Sequence, residues 1–425
     1  MRSVPKLLHF PLGGLNRALS YRDSTTPSEN GVYGTPLAMN VRGRAVYEGR
    51  LRGGSRPGLR DLGADPSDLD GFVYAHPQAP DLPETVSGVV PPSPWSCHAY
   101  HRGRLFVANG SVWYCSATGD LSDWDYGADG EVATRAAFGN VALAGRPGGT
   151  IRAMFARDDN GLYIATDVGV WIIDGEPTTG RMRSLSTDYG CVSANAWCRD
   201  GGARFYFLSS LGLCVVSADM PVTLVSGQIP DELKGLRSAT LVNDSDANGI
   251  HILTDEGDWF YEIDSKAFWP EAYAQSVRPV DGAEAVVDGV KRTIFICADG
   301  AWRWPDPSCG TDDGEAFGSM VAIGPFRTAA RDDEDGMLDC LSATLAADSD
   351  GRVEVVAYSS DSPEGAVESA GTGAGDCRRF GFAGGRNKVT RPRLRGCWCV
   401  LVVRSSGKWA YESMTAVVKQ LGRLR

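Results

Sequence analysis

The chain has 425 residues, 43% hydrophobic and 22% charged, the balance of a globular protein with a buried core rather than of a disordered one. Its 52 glycines and 23 prolines make a turn-rich chain and weigh against a helical bundle. No apolar stretch approaches the ~20 residues needed to span a bilayer, so membrane insertion is not expected. The opening MRSVPKLLHFPLGG has only a short apolar run, interrupted by His9 and Pro11, and does not read as a signal peptide. Eleven cysteines are scattered without disulfide-scaffold spacing, several inside apolar runs such as LGLCVVS and IFICADG. They read as reduced thiols in a protein made in the cytoplasm.

The formal charge of −11 hides a segregation. Residues 1–60 carry ten basic and three acidic side chains; residues 378–425 carry twelve basic and one acidic. Residues 61–377 hold the remaining 20 basic and 49 acidic, a net of −29. Such asymmetry marks interaction surfaces rather than a fold requirement. Only seven of the basic residues are lysines, and the planar arginine fork suits fixed contacts with carboxylates or phosphates.

In chain order, residues 1–60 read as an extended arm. It carries Asn40 and Arg42, then Arg50, Arg52 and Arg56 among glycines and a proline. In an extended strand Arg50 and Arg52 share a face. From about residue 95 onward, apolar runs of four to seven residues alternate with Asp-Gly, Asn-Gly and Gly-Gly turns. Five groups stand out, beginning at RLFVANG, IRAMFARDDNG, CVSANAWCRDGG, GIHILTDEG and GAEAVVDGV, at the 30–45-residue spacing of four-stranded propeller blades. In four of them a Gly-containing turn leads into a tryptophan: Trp113, Trp171, Trp259 and Trp302. These are placed to wedge between neighbouring blades. The expected fold is all-β: a propeller of about five to seven blades over 61–315, after the N-terminal arm. Residues 229–236 (IPDELKGL) read as one of few helical turns. Residues 316–425 form a further β-sheet unit or ring-closing blade, in which the Gly/Ser-rich 368–377 reads as a mobile loop. Arg391, Arg393 and Arg395 share a strand face there, and with the arm arginines they are the candidate interface residues.

Catalytic patterns are weak. No phosphate-binding glycine loop, H-E-x-x-H or G-x-S-x-G is present, and no enzymatic activity or cofactor is expected. Asp244, Asp246, Asn248 and Asp255 match the spacing of a twelve-residue calcium loop, but the flanks read as strands and position twelve is not Glu. A hairpin turn is the plainer reading. Cys97, His98 and His101 lack a second cluster at zinc spacing and read as an exposed segment leading into a strand. Cys397 and Cys399 read as buried thiols. The run from Asp332 to Gly336 reads as a solvated turn.

The N-terminal PLGGLNRA…AMNVRGRAVYEGRLRGGSRPGL resembles the opening of bacteriophage β-propeller tail proteins of the podovirus tail-nozzle, or tail tubular protein B-like, type. The segments SATGDLSDWDYG, FLSSLGLCVV and FWPEAY are similar to blades of that family, and GRNKVTRPRLRGCWCVLVV…GKWAYES to its closing region. The resemblance implies a structural virion protein: a ring, usually of six identical subunits, below the portal and adaptor proteins, around the channel for exiting DNA. An acidic lumen would let DNA slide by repelling phosphates, since each arginine–phosphate contact adds salt-sensitive affinity. The basic termini would then meet acidic faces of neighbouring subunits or adaptors. Two alternatives stay open: a tail-tip receptor- or glycan-binding propeller using Trp302 and Trp304, and a propeller glycoside hydrolase with converging buried carboxylates.

Overall fold

The computed structural model describes residues 94–423 apart from 126–132, 145–147, 202, 219, 227–228, 276, 288–289, 307, 330–333 and 350–351; before residue 94 it describes short strands and residues 91–92. Among the described residues the regular structure is almost all strand, with one α-helix, α1 (Pro363–Thr372). It is an all-β propeller with an extended N-terminal segment and a C-terminal β-sheet unit. By internal packing it divides into two units. The blade unit takes Gly63–Asp258 and Pro279–Ile296; the sandwich unit takes Met1–Leu62, Trp259–Arg278 and Cys297–Arg425.

In the blade unit, consecutive strands fold back and forth as antiparallel sheets. The first pairs Cys97–His101, Arg104–Asn109, Val112–Cys115 and Ala137–Asn140 in that order. The second pairs Ile151–Asp158, Gly161–Thr166, Val170–Asp174 and Arg181–Ser186; the third pairs Trp197–Arg199, Phe205–Ser209, Gly212–Val216 and Thr223–Leu224. The next repeat begins at Thr240–Asp244, one strand earlier than the sequence grouping, and that strand pairs with Gly249–Leu253. Strand Pro279–Val287 pairs with Asp70–Tyr74.

Three of the repeats, those beginning at Ile151, Trp197 and Thr240, share two side-chain devices. An Asp at or just past the end of the first strand caps the turn that follows. Asp158 accepts the Asn160 N–H (2.7 Å), Asp200 the Arg204 N–H (2.9 Å) and Asp244 the Ala247 N–H (2.9 Å). A Thr or Ser then ends the second strand and accepts backbone N–H groups of the next turn. Thr166 takes Gly169 (3.1 Å), Ser209 takes Leu211 (3.0 Å) and Thr254 takes Gly257 (3.2 Å). Short side-chain oxygens of this kind stand in for backbone acceptors in a turn. The turn pattern seen in the sequence is therefore a repeated hydrogen-bond arrangement.

Trp113 and Trp171 share one core cluster with Phe106, Cys115, Ile151, Met154, Ile164 and Ile173, drawn from two successive sheets. The wedge role holds for these two. A Cβ on Gly139 would meet the Trp113 ring at 2.5 Å, so the outer strand must be glycine where the indole lies. Between the second and third sheets, Phe155 stacks on Trp197 and Phe205, both at 5.0 Å.

The sandwich unit holds two larger sheets. One runs Ser20–Arg22, Arg44–Gly54, Ala410–Arg423, Glu334–Leu345 and Gly385–Arg395, with Pro36–Met39 also on Arg44–Gly54. The extended N-terminal segment thus lies along the C-terminal strand, and Gly58–Asp61 pairs with Trp302–Asp306. These long-range pairings make the contact division differ from the expected boundaries at 60 and 315. The other sheet runs Ser319–Arg327, Trp398–Ser405, Val353–Ser360 and Cys377–Phe382. Leu338, Leu341, Leu394 and Val418 of the first sheet and Val353, Val355, Leu401 and Val403 of the second are buried.

The expected mobile loop at 368–377 is instead largely the end of α1. Ser362 caps the helix by accepting the Gly365 N–H (3.0 Å), Pro363 starts it, and Gly373 ends it at φ 73°. Ala366, Val367 and Ala370 pack on Val356, Val400 and Val402 of the four-stranded sheet. The Ser-Pro start was readable; the Gly/Ser composition obscured it. At 231–233 a single 3₁₀ turn forms where the helical turn was expected. The acidic run also differs: Glu334, Asp335 and a buried Gly336 begin a strand rather than a turn, and Asp332 and Asp333 lie outside the described residues.

Candidate functional site

Strand Gly385–Arg395 lies at an edge of the six-stranded sheet and, among the described strands, bonds to Glu334–Leu345 alone. Its register places Gly385, Asn387, Val389 and Leu394 beside the buried Leu345, Ala343, Leu341 and Leu338. The alternate positions, Arg386 and Lys388, are exposed, and so are Arg391, Arg393 and Arg395. Arg391 and Arg393 do not continue the extended alternation assumed from the sequence. The register shifts between Leu338 and Cys340, so residues 391–393 bulge opposite Asp339, and both arginines have φ 55°. A bulge re-aims side chains and blocks further strand pairing. The left-handed backbone costs on the order of 1 kcal/mol at each arginine. Pro392 between them is buried and holds the bend.

The preceding strand Cys377–Phe382 adds exposed Arg378 and Arg379, so from Cys377 to Arg395 there are seven basic residues and no acidic one. Arg379 is neutralised: it shares Glu354 with Arg404 at 3.2 and 2.5 Å. Those two guanidinium groups, partly offset by burial, hold the Glu354 carboxyl below its usual range. Among the described residues, Arg386, Lys388, Arg391, Arg393 and Arg395 have no carboxylate partner. Several described arginines elsewhere do, as Arg102 with Glu176 (2.6 Å), Arg183 with Asp174 (2.7 Å) and Arg204 with Asp200 (2.6 Å). The edge is thus a concentrated, un-neutralised positive surface.

Of the other candidate interface residues, Asn40, Arg42 and Arg56 lie outside the described residues. Arg50 and Arg52 lie in strand Arg44–Gly54, opposite Arg22 and Ser20, where the register with the C-terminal strand shifts.

The blade unit carries 28 acidic and 14 basic residues, a net of −14, against 25 acidic and 28 basic in the sandwich unit. Its buried carboxylates each have a partner of their own. Asp200 takes Arg204, Glu284 takes Lys291 (2.6 Å), Asp244 takes His251 (3.2 Å), and Asp258 accepts the Thr254 N–H (3.2 Å). Each is satisfied by a neighbour close in sequence, as buried polar groups require. The calcium spacing is likewise spent on strands: Asp244 and Asp255 flank opposite ends of Gly249–Leu253, and Asp246 and Asn248 sit in the turn between. Among the described residues no group of three His, Cys, Asp or Glu is placed to hold a metal ion.

Cys97, His98 and His101 are not an exposed segment but the first strand of the first sheet. Cys97 and His101 alternate into the core. Burial, then the neighbouring Arg102, lowers the His101 pKa. Desolvation pushes the thiols up, Cys97, Cys191 and Cys214 to about 12 and Cys115 to about 11, while Cys397 and Cys399 are buried as expected. Protonated thiols of this kind serve packing rather than nucleophilic attack. Trp302 and Trp304 are half-buried and engaged with neighbours. No described helix is long and apolar enough to cross a membrane.

No family model and no curated protein matches the chain. Solved structures do show similarity. PorZ, a surface component of the type-IX secretion system of Porphyromonas gingivalis, is 12% identical, with 69% of this chain and 36% of PorZ covered, at a TM-score of 0.30. The extracellular domain of a putative hybrid two-component system of B. thetaiotaomicron is 12% identical, with 97% and 60% covered, at 0.33. The WD40 domain of fission-yeast SCAP is 8% identical, with 96% and 99% covered, at 0.28. The chain thus spans 36% of the first and 60% of the second protein. The blade pattern stands on the chain's own strand pairing.

Proposed function

We propose that the chain is a non-catalytic structural protein of a bacteriophage virion, a tail nozzle or head-to-tail connector ring on the DNA-ejection path. The observation that carries the reading is the segregation of charge: un-neutralised cations concentrate on one edge strand, while the blade unit is net −14. An acidic passage repels DNA phosphates, and a basic edge recognises carboxylates of a neighbouring protein. The sequence resemblance of the N-terminal arginine series and the blade segments supports the same role.

Imaging of negatively stained purified protein, alone and with tail particles, tests it. The expected result is a closed ring of identical subunits around an axial channel. A stable monomer at all concentrations, or a ring whose channel is lined with arginine, would overturn the reading.

A further inference from the structure

The sandwich unit carries a second surface of the opposite sign. From Asp361 to Asp376 the chain has four carboxylates, Asp361, Glu364, Glu368 and Asp376, and no basic residue; all four are exposed. Helix α1 turns Ala366, Val367 and Ala370 onto the four-stranded sheet, and Glu364 and Glu368 lie about 6 Å apart along its solvent side. Among the described residues none of these carboxylates has a basic partner, just as none of the five edge cations has an acidic one. The two surfaces follow each other in sequence yet do not neutralise each other in the fold. α1 covers one sheet of the sandwich, and the basic edge belongs to the other.

We propose that the basic edge of one copy, Arg386, Lys388, Arg391, Arg393 and Arg395, docks on the α1 face of a second copy. The proposal rests on the ring reading above and specifies its subunit contact. Four of the five cations are arginines, whose forks bind carboxylates in a bidentate manner. Edge-to-edge pairing of two copies would bring like charges together. The α1 face of another copy offers exposed carboxylates of the opposite sign, none with a basic partner among the described residues, and charge complementarity favours it. Because the two surfaces differ, the contact is head-to-tail, the type that closes into a ring or extends as a filament.

The test is a charge swap read by light scattering and mass photometry of the full-length protein at low and high salt. One variant carries Arg391→Asp, Arg393→Asp and Arg395→Glu, with Asp chosen where φ is positive because it tolerates that backbone. The other carries Glu364→Lys and Glu368→Lys. A third carries all five substitutions. Each single-face variant is expected to weaken assembly at least about tenfold, as high salt does for the wild type, and the five-fold variant to regain it. Circular dichroism melting confirms that the exposed substitutions leave the fold intact.

Wild-type rings that persist in both single-face variants overturn this contact while leaving the ring reading standing. A wild type that never assembles overturns both. Loss of assembly without rescue in the swapped variant, with loss of binding to a single-stranded oligonucleotide in the arginine variant alone, would make the edge a polyanion site and overturn the proposal.

Discussion

Arg104 offers a stringent test of what holds the first blade closed. Its side chain is fully buried in strand Arg104–Asn109. One terminal nitrogen donates to the Ser116 carbonyl (2.9 Å) and to that of Arg135; the other donates to the Ala133 carbonyl. Glu176 lies 3.6 Å away and is also held by Arg102 at 2.6 Å. Replacing Arg104 with alanine removes the donor from the Ser116 and Arg135 carbonyls, leaves the Ala133 carbonyl to the Thr178 hydroxyl (3.1 Å), and removes the nearby cation from a partly buried carboxylate. A hydrogen bond to a charged group contributes about 1.5–3 kcal/mol, and breaking a buried ionic network costs about 3–5 kcal/mol. We take about 4 kcal/mol for Arg104→Ala, because Arg102 still serves Glu176. Arg104→Lys keeps the charge but loses the fork, and should cost about half as much. Guanidinium unfolding followed by tryptophan fluorescence measures this, with the fully buried Trp124 as a nearby reporter. A loss below about 1 kcal/mol for the alanine variant would refute the network as a stabilising element.

Three further outcomes are expected. The bidentate Arg303 fork, at 2.7 Å on both oxygens, holds the Asp299 pKa to about 2. The depressed folded value makes its stabilisation complete above about pH 4 and lost as pH falls towards about 2; Arg303→Gln should flatten the melting temperature over that window, and an unchanged slope would exclude the pair. Asp244→Ala removes the acceptor of the Ala247 N–H and the carboxylate beside His251, and should cost about 2–3 kcal/mol in calorimetry; calcium or EDTA should shift the melting temperature by less than about 1 °C, since binding to the folded state alone would raise it. At pH 8 the native protein should react quickly with a thiol reagent at no more than the half-exposed Cys309, Cys340 and Cys377, and at all eleven cysteines once unfolded; a fourth fast thiol would contradict the raised pKa values.

The all-β class, the back-and-forth strands and the tryptophans after turns were legible because each depends on residues within about ten positions. Strand alternation and turn chemistry are local properties. The same holds for the hairpin connecting Arg104–Asn109 to Val112–Cys115, whose two-residue turn is Gly110-Ser111. The Asp and Thr/Ser caps were equally local, and were missed because they were read as acidic or polar turns without asking which N–H each oxygen accepts. Helix α1 was missed because its apolar stripe has only alanines and a valine. Those residues become a helix face when a sheet is there to receive them.

The all-β class, the segregation of charge and the all-basic stretch from Cys377 to Arg395 follow from the order of residues alone. Which of those charges stay unpaired depends on the folded chain. Arg379 finds Glu354 across 25 positions and Arg404 finds it across 50, while Arg391, Arg393 and Arg395 have no carboxylate partner among the described residues. The fold also decided that the N-terminal segment lies along the last strand, a pairing of residues more than 350 positions apart. Ion pairs and sheet edges form between chain segments whose separation in sequence carries no information about their distance in space. Local pattern fixes what each segment can become, and packing fixes which charges are left to meet another molecule.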